Sequence, residues 1–383
     1  MAIIRRRITF AAALAFFALF GMLSFSARPI AAAEEVPAQL SDEAFWKLVS
    51  DLSETAGFFR ADNFVSNEAA FQYPIPELKD NTKSGGIYLG VGPDQNFTYI
   101  VALKPKMAFI VDIRRQNMLQ HLMYKALIEI SADRAEFLSR LFSRKRPAGL
   151  GSSSSAQELF MAFQDVAPDY ESFSGNLQAI KKRLGEHHGF KLTDEDERSL
   201  EYVYRAFYVG GPDLTYNGPG SPGPFNRGRM PTYAELMMET DRAGQNRSYM
   251  STEENFRFLQ DMENKNLLVP IVGDFAGPSA LRGVGNYVRD HGASVTAFYL
   301  SNVEQYLFQT NPTAVNGGAQ KFYQNVVQLP VDGSSTFIRT QSSREIKQAY
   351  AGFVSLLGSM SETIQVFNER GLKNVREVFA ISR

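Results

Sequence analysis

The sequence predicts an α/β fold: a mostly parallel sheet flanked by helices and interrupted by a large helical insertion. Three observations predict it. Residues 86–116, GIYLGVGPDQNFTYIVALKPKMAFIVDIRRQ, read as strand, glycine turn, helix, strand, acid. Two later apolar runs, 267–272 and 295–300, have strand composition and end in polar residues. Amphipathic helical stretches fill the sequence between them.

The folded part opens at 41–52, with Ser41 as N-cap and Glu43 in the first turn. Phe45, Leu48, Val49 and Leu52 recur at helical spacing, flanked by Trp46, the single tryptophan. Residues 64–78 read as a polar, proline-broken connection in which Phe71 and Tyr73 pack, followed by a loop over 79–85. The short run Ile87, Tyr88, Leu89, Val91 is the first strand. Gly90 and Gly92 let the backbone turn tightly and approach a ligand. Asp94 stands at the positive end of a helix over 94–103. The second strand, 107–111, ends on Asp112, 20 residues beyond Gly92. Nucleotide-binding βαβ units place a ribose-binding carboxylate at about this spacing. The competing reading is a tight turn with a solvated acid, because Pro93 and Asp94 stand where further glycines would be. Arg114 and Arg115 are suited to a ligand phosphate or carboxylate, and equally to surface acids.

Leu119, Leu122, Met123, Ala126, Leu127 and Ile130 mark a long amphipathic helix. Ser131 starts another, with Ala135, Leu138, Leu141 and Phe142 inward. The linker 149–155, GLGSSSS, leads to helices over 156–184 with a loop near 172–175. Thr193 and Asp196 cap a helix over 193–209. Residues 210–231 form a long Gly/Pro-rich loop, a lid or binding loop, or else an excursion without a ligand. Ser251 and Glu254 spell a capping box for a helix to about 265. Pro270 argues against a central position for the strand 267–272. A helix over 279–291, stopped by Gly292, leads to the strand 295–300. Stretches 322–329 and 336–338 read as closing strands. The tail from 343 reads as helical, with Ile346, Tyr350, Phe353, Leu356 and Leu357 on one stripe.

At the amino terminus, Arg5–Arg7, an apolar run over 8–25 and Ala31–Ala33 have the layout of a secretory signal cleaved near Ala33. The alternative is an uncleaved inner-membrane anchor. Removing Arg5, Arg6, Arg7 and Arg28 from the 40 basic residues leaves 36 against 41 acids, a formal charge of −5. Such a chain has no global attraction to nucleic acid. The run Arg144–Arg146 reads as a solvated helix end. No cysteine is present, which excludes disulfides, thiolate metal sites and cysteine nucleophiles. The four histidines show no metal-ligand spacing, and His187 and His188, between Gly185 and Gly189, read as a surface turn.

Polar groups thus gather at successive strand ends: Gly90–Asp94, Asp112, Asp274, then Asn302 with Glu304. If the strands are parallel and adjacent, these groups face one crevice, where open α/β sheets bind ligands.

The segments YLGVGPDQNFTYI, FIVDIRRQN, VGDFAGP and FYLSNVEQYLF resemble an uncharacterised bacterial exported protein family of Rossmann-like, class I S-adenosylmethionine-dependent methyltransferase type. The resemblance covers roughly residues 86–339. It implies a lead-in over 34–85, a methyltransferase-like domain over 86–342 with a helical insertion at about 131–265, and a helical segment over 343–383. By the same resemblance, Gly90 and Gly92 approach the methionine part of S-adenosylmethionine, with Asp94, Asn96 and Arg114 beside them. Asp112 binds the ribose, and Asp274 stands where the post-strand catalytic or substrate-binding motif lies. Apart from the resemblance, Asp274 and Glu304 are the candidate catalytic carboxylates, and Asn302 and Tyr306 the candidate substrate contacts. Tyr88 replaces an acid common before the turn, the family's third strand is not evident, and Gly273–Ala276 lacks the proline–aromatic pattern of amino-group methylation. S-adenosylmethionine is cytoplasmic, so export favours a protein that binds another small ligand or an envelope protein. An active methyltransferase is the alternative, and an α/β enzyme using carboxylates the second alternative. No G-x-S-x-G elbow is present.

Overall fold

The structure, a computed structural model, describes residues 35–218, 230–309, 317–342 and 353–382. The signal-like segment, most of the tip of the 210–231 loop, Ile346 and Tyr350 lie outside the described residues.

Six strands form one sheet: β1 (Ile87–Gly90), β2 (Met107–Asp112), β3 (Leu268–Val272), β4 (Val295–Ser301), β5 (Thr336–Ser342) and β6 (Phe353–Ser359). Their order is β3-β2-β1-β4-β5-β6. The first five are parallel, and β6 runs antiparallel to β5. Leu89 sits opposite both Phe109 of β2 and Phe298 of β4. β1 to β3 are buried along their whole length, which explains their unbroken apolar runs: both faces are covered. β3 has a single neighbour, β2, so Pro270 lies on an edge strand, the position its missing N–H permits.

Helices α1 (Asp42–Leu52) and α2 (Ile75–Asn81) precede β1, and α3 (Gln95–Leu103) joins β1 to β2. The insertion between β2 and β3 carries α4 (Arg115–Glu129), α5 (Arg134–Phe142), α6 (Ala156–Gln164), α7 (Tyr170–Lys182), α8 (Asp194–Gly210), α9 (Tyr233–Met238) and α10 (Glu253–Asn264). α11 (Ala280–Asp290) joins β3 to β4, α12 (Val303–Gln309) and α13 (Gly318–Val326) follow β4, and α14 (Met360–Arg370) and α15 (Val375–Ala380) follow β6. α4 is buried from Asn117 to Ile128 because it is sandwiched. It packs on β2 and β3 on one side and on α8 and α10 on the other. Each large apolar side chain it buries contributes about 1.5–3 kcal/mol.

Ser41 and Thr193 cap α1 and α8 as expected, the latter in a capping box with Asp196. Several expectations are corrected. The stretch 322–329 lies mostly in helix α13: Ala319, Phe322, Tyr323 and Val326 recur at helical spacing and are buried. The tail is not wholly helical, because Phe353, Leu356 and Leu357 belong to β6, which pairs with the free edge of β5. The connection 64–78 ends in α2, which starts at Ile75 with Pro76 in its first turn. α7 runs through 172–175, and the break falls before Asp169, its N-cap. α10 is capped by Thr252, whose hydroxyl accepts from Asn255 N, and not by Ser251. The expected strand 267–272 is β3, which pairs with β2 after the insertion.

Two surface readings are corrected at one residue each, while Lys145, Arg146 and His187 are exposed as expected. Arg144 is buried and donates to the carbonyls of Phe163 (2.8 Å) and Gln164 (3.3 Å) at the end of α6. His188 is buried, with its ring nitrogens 2.7 Å from Asp42 Oδ1 and 2.7 Å from Glu129 Oε2.

Candidate functional site

The glycine turn after β1 is closed by its own helix. A Cβ on Gly90 would fall 1.8 Å from Asn96 Oδ1, so only glycine lets that side chain fold back. Asn96 Nδ2 donates to the carbonyls of Val91 (2.9 Å), Gly92 (3.3 Å) and Pro93 (2.7 Å), and Tyr88 Oη donates to Asn96 Oδ1 (2.9 Å). Gly92 adopts φ +78°, a left-handed conformation that favours glycine. His121 of α4 supports the turn from below: Nε2 lies 2.8 Å from Gly92 O. Burial holds its imidazole neutral, pushed down to about 4, so Nε2–H donates and Nδ1 is left without a partner.

Asp94 does not face the strand ends. It is buried against the helical insertion, where Tyr249 Oη donates to Oδ2 at 3.2 Å and Tyr233 bonds to Tyr249. Burial pushes its carboxyl up to about 7 against the pull of the Tyr249 hydroxyl.

Asp112 ends β2 and is held by Arg114. Its Oδ1 accepts from Arg114 N (2.9 Å) and Nε (3.0 Å), and its Oδ2 from Nη2 (2.9 Å). Both side chains are buried. Arg114 Nη1 donates onward to the carbonyls of Ala61 (3.2 Å) and Asp62, and the guanidinium lies 5.8 Å from the Phe59 ring centroid.

Those contacts belong to a strap, residues 53–72, which crosses the carboxyl ends of the strands. At β3, Glu54 N donates to Val272 O (2.8 Å). The Glu54 carboxylate accepts from the amides of Asp274 (3.1 Å), Ser279 (2.7 Å) and Ala280 (2.8 Å), at the start of α11. Burial alone would raise that carboxyl, but these amides outweigh it and hold it below its usual range. At β2, Gly57 N donates to Ile113 O (2.8 Å). Past β1, Gln120 Nε2 donates to Phe64 O (2.6 Å). At β4 and β5, the buried Glu68 accepts from Tyr299 Oη (3.0 Å), Ser301 Oγ (2.5 Å), Thr340 Oγ1 (2.7 Å) and Gln95 Nε2 (3.1 Å). Ser66 completes the group by donating to Gln95 Oε1.

The remaining expected residues are engaged separately. Asp274 is half-buried, and its Oδ1 accepts from Ala276 N (2.9 Å), closing its own turn. Glu304 is buried and paired with the fully buried Arg339 (Nε–Oε2 2.8 Å), and it also accepts from Tyr323 Oη (2.6 Å). Tyr306 sets its ring edge-on to Phe59 at 5.4 Å, and Asn302 Oδ1 lies 3.4 Å from Ser301 Oγ. The structure therefore brings Gly90, Gly92 and Asn96 into one turn, and Asp112, Arg114 and Tyr306 around the strap. Among the described residues, no hydrogen bond joins any two of Asp112, Asp274 and Glu304.

Glu68, Ser66, Gln95, Tyr299 and Thr340 carried no signal in the sequence. They come from four separated segments, and only the sheet order and the path of the strap unite them.

Among the described residues no cluster of three metal-ligating side chains occurs, and no helix is long and apolar enough to cross a membrane. No curated protein matches the sequence. The model of one family matches residues 63–202 and 221–379, which takes in the Asn96 turn, the Asp112–Arg114 pair and Glu68, and the chain belongs to that family, described as a domain of unknown function (DUF7790).

Proposed function

We propose that this is an exported, Rossmann-like protein of the class I methyltransferase type that binds a small ligand in the crevice at the strand carboxyl ends. The observation that carries this reading is the strand order. The strand order reverses between β1 and β4, and in open α/β sheets the ligand sits at that switch point. The Gly90–Gly92 turn, Gln95 at the start of α3, and Tyr299 and Ser301 at the end of β4 border it. An antiparallel sixth strand beside β5 agrees with the methyltransferase type. The N-terminal pattern of arginines, apolar run and small residues supports export. An envelope protein docking over the same crevice belongs to this reading.

Active methyl transfer from S-adenosylmethionine is the second reading. Asp112 at the end of β2, 20 residues after Gly92, favours it. Its hold by Arg114 and the strap across the strand ends favour binding over transfer. An acid–base role for Asp274 and Glu304 draws no support, since one closes its own turn and the other neutralises Arg339.

The test is calorimetric titration of the full chain with S-adenosylmethionine and S-adenosylhomocysteine, followed by an assay of methyl transfer to small acceptors. Binding without turnover is the expected result. Turnover would select the second reading, and absence of binding at millimolar ligand would remove this cofactor from both.

A further inference from the structure

Glu68 is a buried carboxylate. Among the described residues no ion pair reaches it, and its two oxygens are held by four neutral donors. Those donors stand on the rigid part of the fold: Gln95 at the first turn of α3, Tyr299 and Ser301 at the end of β4, and Thr340 in β5. Ser301 adopts φ +50°, a left-handed conformation rare for a serine, where the β4–β5 register shifts. A backbone held in that region beside a buried carboxylate is the kind of strain that a binding site retains. Glu68 itself comes from outside the sheet, on the strap that crosses the crevice. The receptor is built into the sheet ends, and its occupant is delivered by a connection.

We infer that Gln95, Tyr299, Ser301 and Thr340 form a seat for an external carboxylate, which Glu68 fills in this state, and that a carboxylate-bearing crevice ligand takes the place of Glu68 there. The second half rests on the crevice-ligand reading above; the seat itself does not. Three hydroxyls and an amide converge on two oxygens, a donor set that suits a planar carboxylate. With no cation paired to it among the described residues, Glu68 can leave without stranding a buried positive charge there.

The experiment is rescue of Glu68→Ala in the full chain by sodium acetate, with sodium chloride at equal ionic strength as control. The variant is expected to melt below the unmutated protein. Acetate should restore its Tm saturably toward the unmutated value, while chloride does not and the unmutated protein barely responds. If the variant does not fold, refolding in acetate against refolding in chloride is the readout. No difference between the two salts overturns the seat. For displacement, hydrogen exchange over residues 60–72 of the unmutated protein is compared with S-adenosylhomocysteine and with methylthioadenosine, which lacks the carboxylate. Faster exchange with the first alone is expected, and equal exchange with both overturns displacement. If neither nucleoside binds, the cofactor reading fails while the acetate result still decides the seat.

Discussion

Arg114 closes on Asp112 from two residues away, through its backbone N–H and both Nε and Nη2, and reaches on to the carbonyls of Ala61 and Asp62. One ion pair thus fastens the strap to the end of β2. Because both side chains are buried, removing one strands the charge of the other. Arg114→Ala is expected to lower stability by about 3–5 kcal/mol. The double variant Asp112→Ala/Arg114→Ala should be less destabilised than the sum of the two single variants. Urea denaturation of the four proteins checks this, and additive losses would mean that the pair is not coupled.

Gly90→Ala is expected to damage the turn more than Gly92→Ala does. The new Cβ would fall on Asn96 Oδ1, so Asn96 must leave and three carbonyls lose its donor. Gly92→Ala meets mainly its φ of +78°, a cost of about 1–2 kcal/mol. Thermal melts of the two variants rank them, and equal losses would show that Asn96 does not hold the turn.

Two buried carboxyls make stability depend on pH. Burial pushes Asp94 up to about 7 and Glu263 up to about 8; Lys125 pulls the latter back and Glu129 pushes it further. A carboxyl whose folded pKa is raised adds stability that is full below its unfolded pKa and is lost as pH rises through the folded value. Relative to the unmutated protein, Asp94→Asn and Glu263→Gln should therefore become progressively more stable between about pH 4 and pH 8, by an amount on the order of a few kcal/mol. Denaturation at pH 5 and pH 8 gives the sign, and a difference independent of pH would contradict it.

The sheet was legible where burial on both faces leaves an unbroken apolar run, as in β1 to β4. The glycine turn was legible because Gly90 and Gly92 are local requirements of the backbone. Failures came where partners are distant. Phe353–Ser359 is a strand because β5 offers a free edge, which no local periodicity reveals. Residues 322–329 lie mostly in a helix because their apolar spacing fits a stripe, although a short aromatic run also suits a strand. Asp112 was read as a ribose ligand or a solvated acid, and Arg114 as suited to a ligand or to surface acids, when the two bind each other. Glu68 went unseen because its four donors lie 27 to 272 residues away.

The claim most directly open to test is that the strand-end crevice binds a ligand of the S-adenosyl type, and the test is the Tm of the full chain with and without S-adenosylhomocysteine. A ligand present at 100 times its Kd adds about 2.7 kcal/mol to stability, which a melt detects. The account predicts an upward shift. An unchanged Tm at millimolar ligand would contradict it.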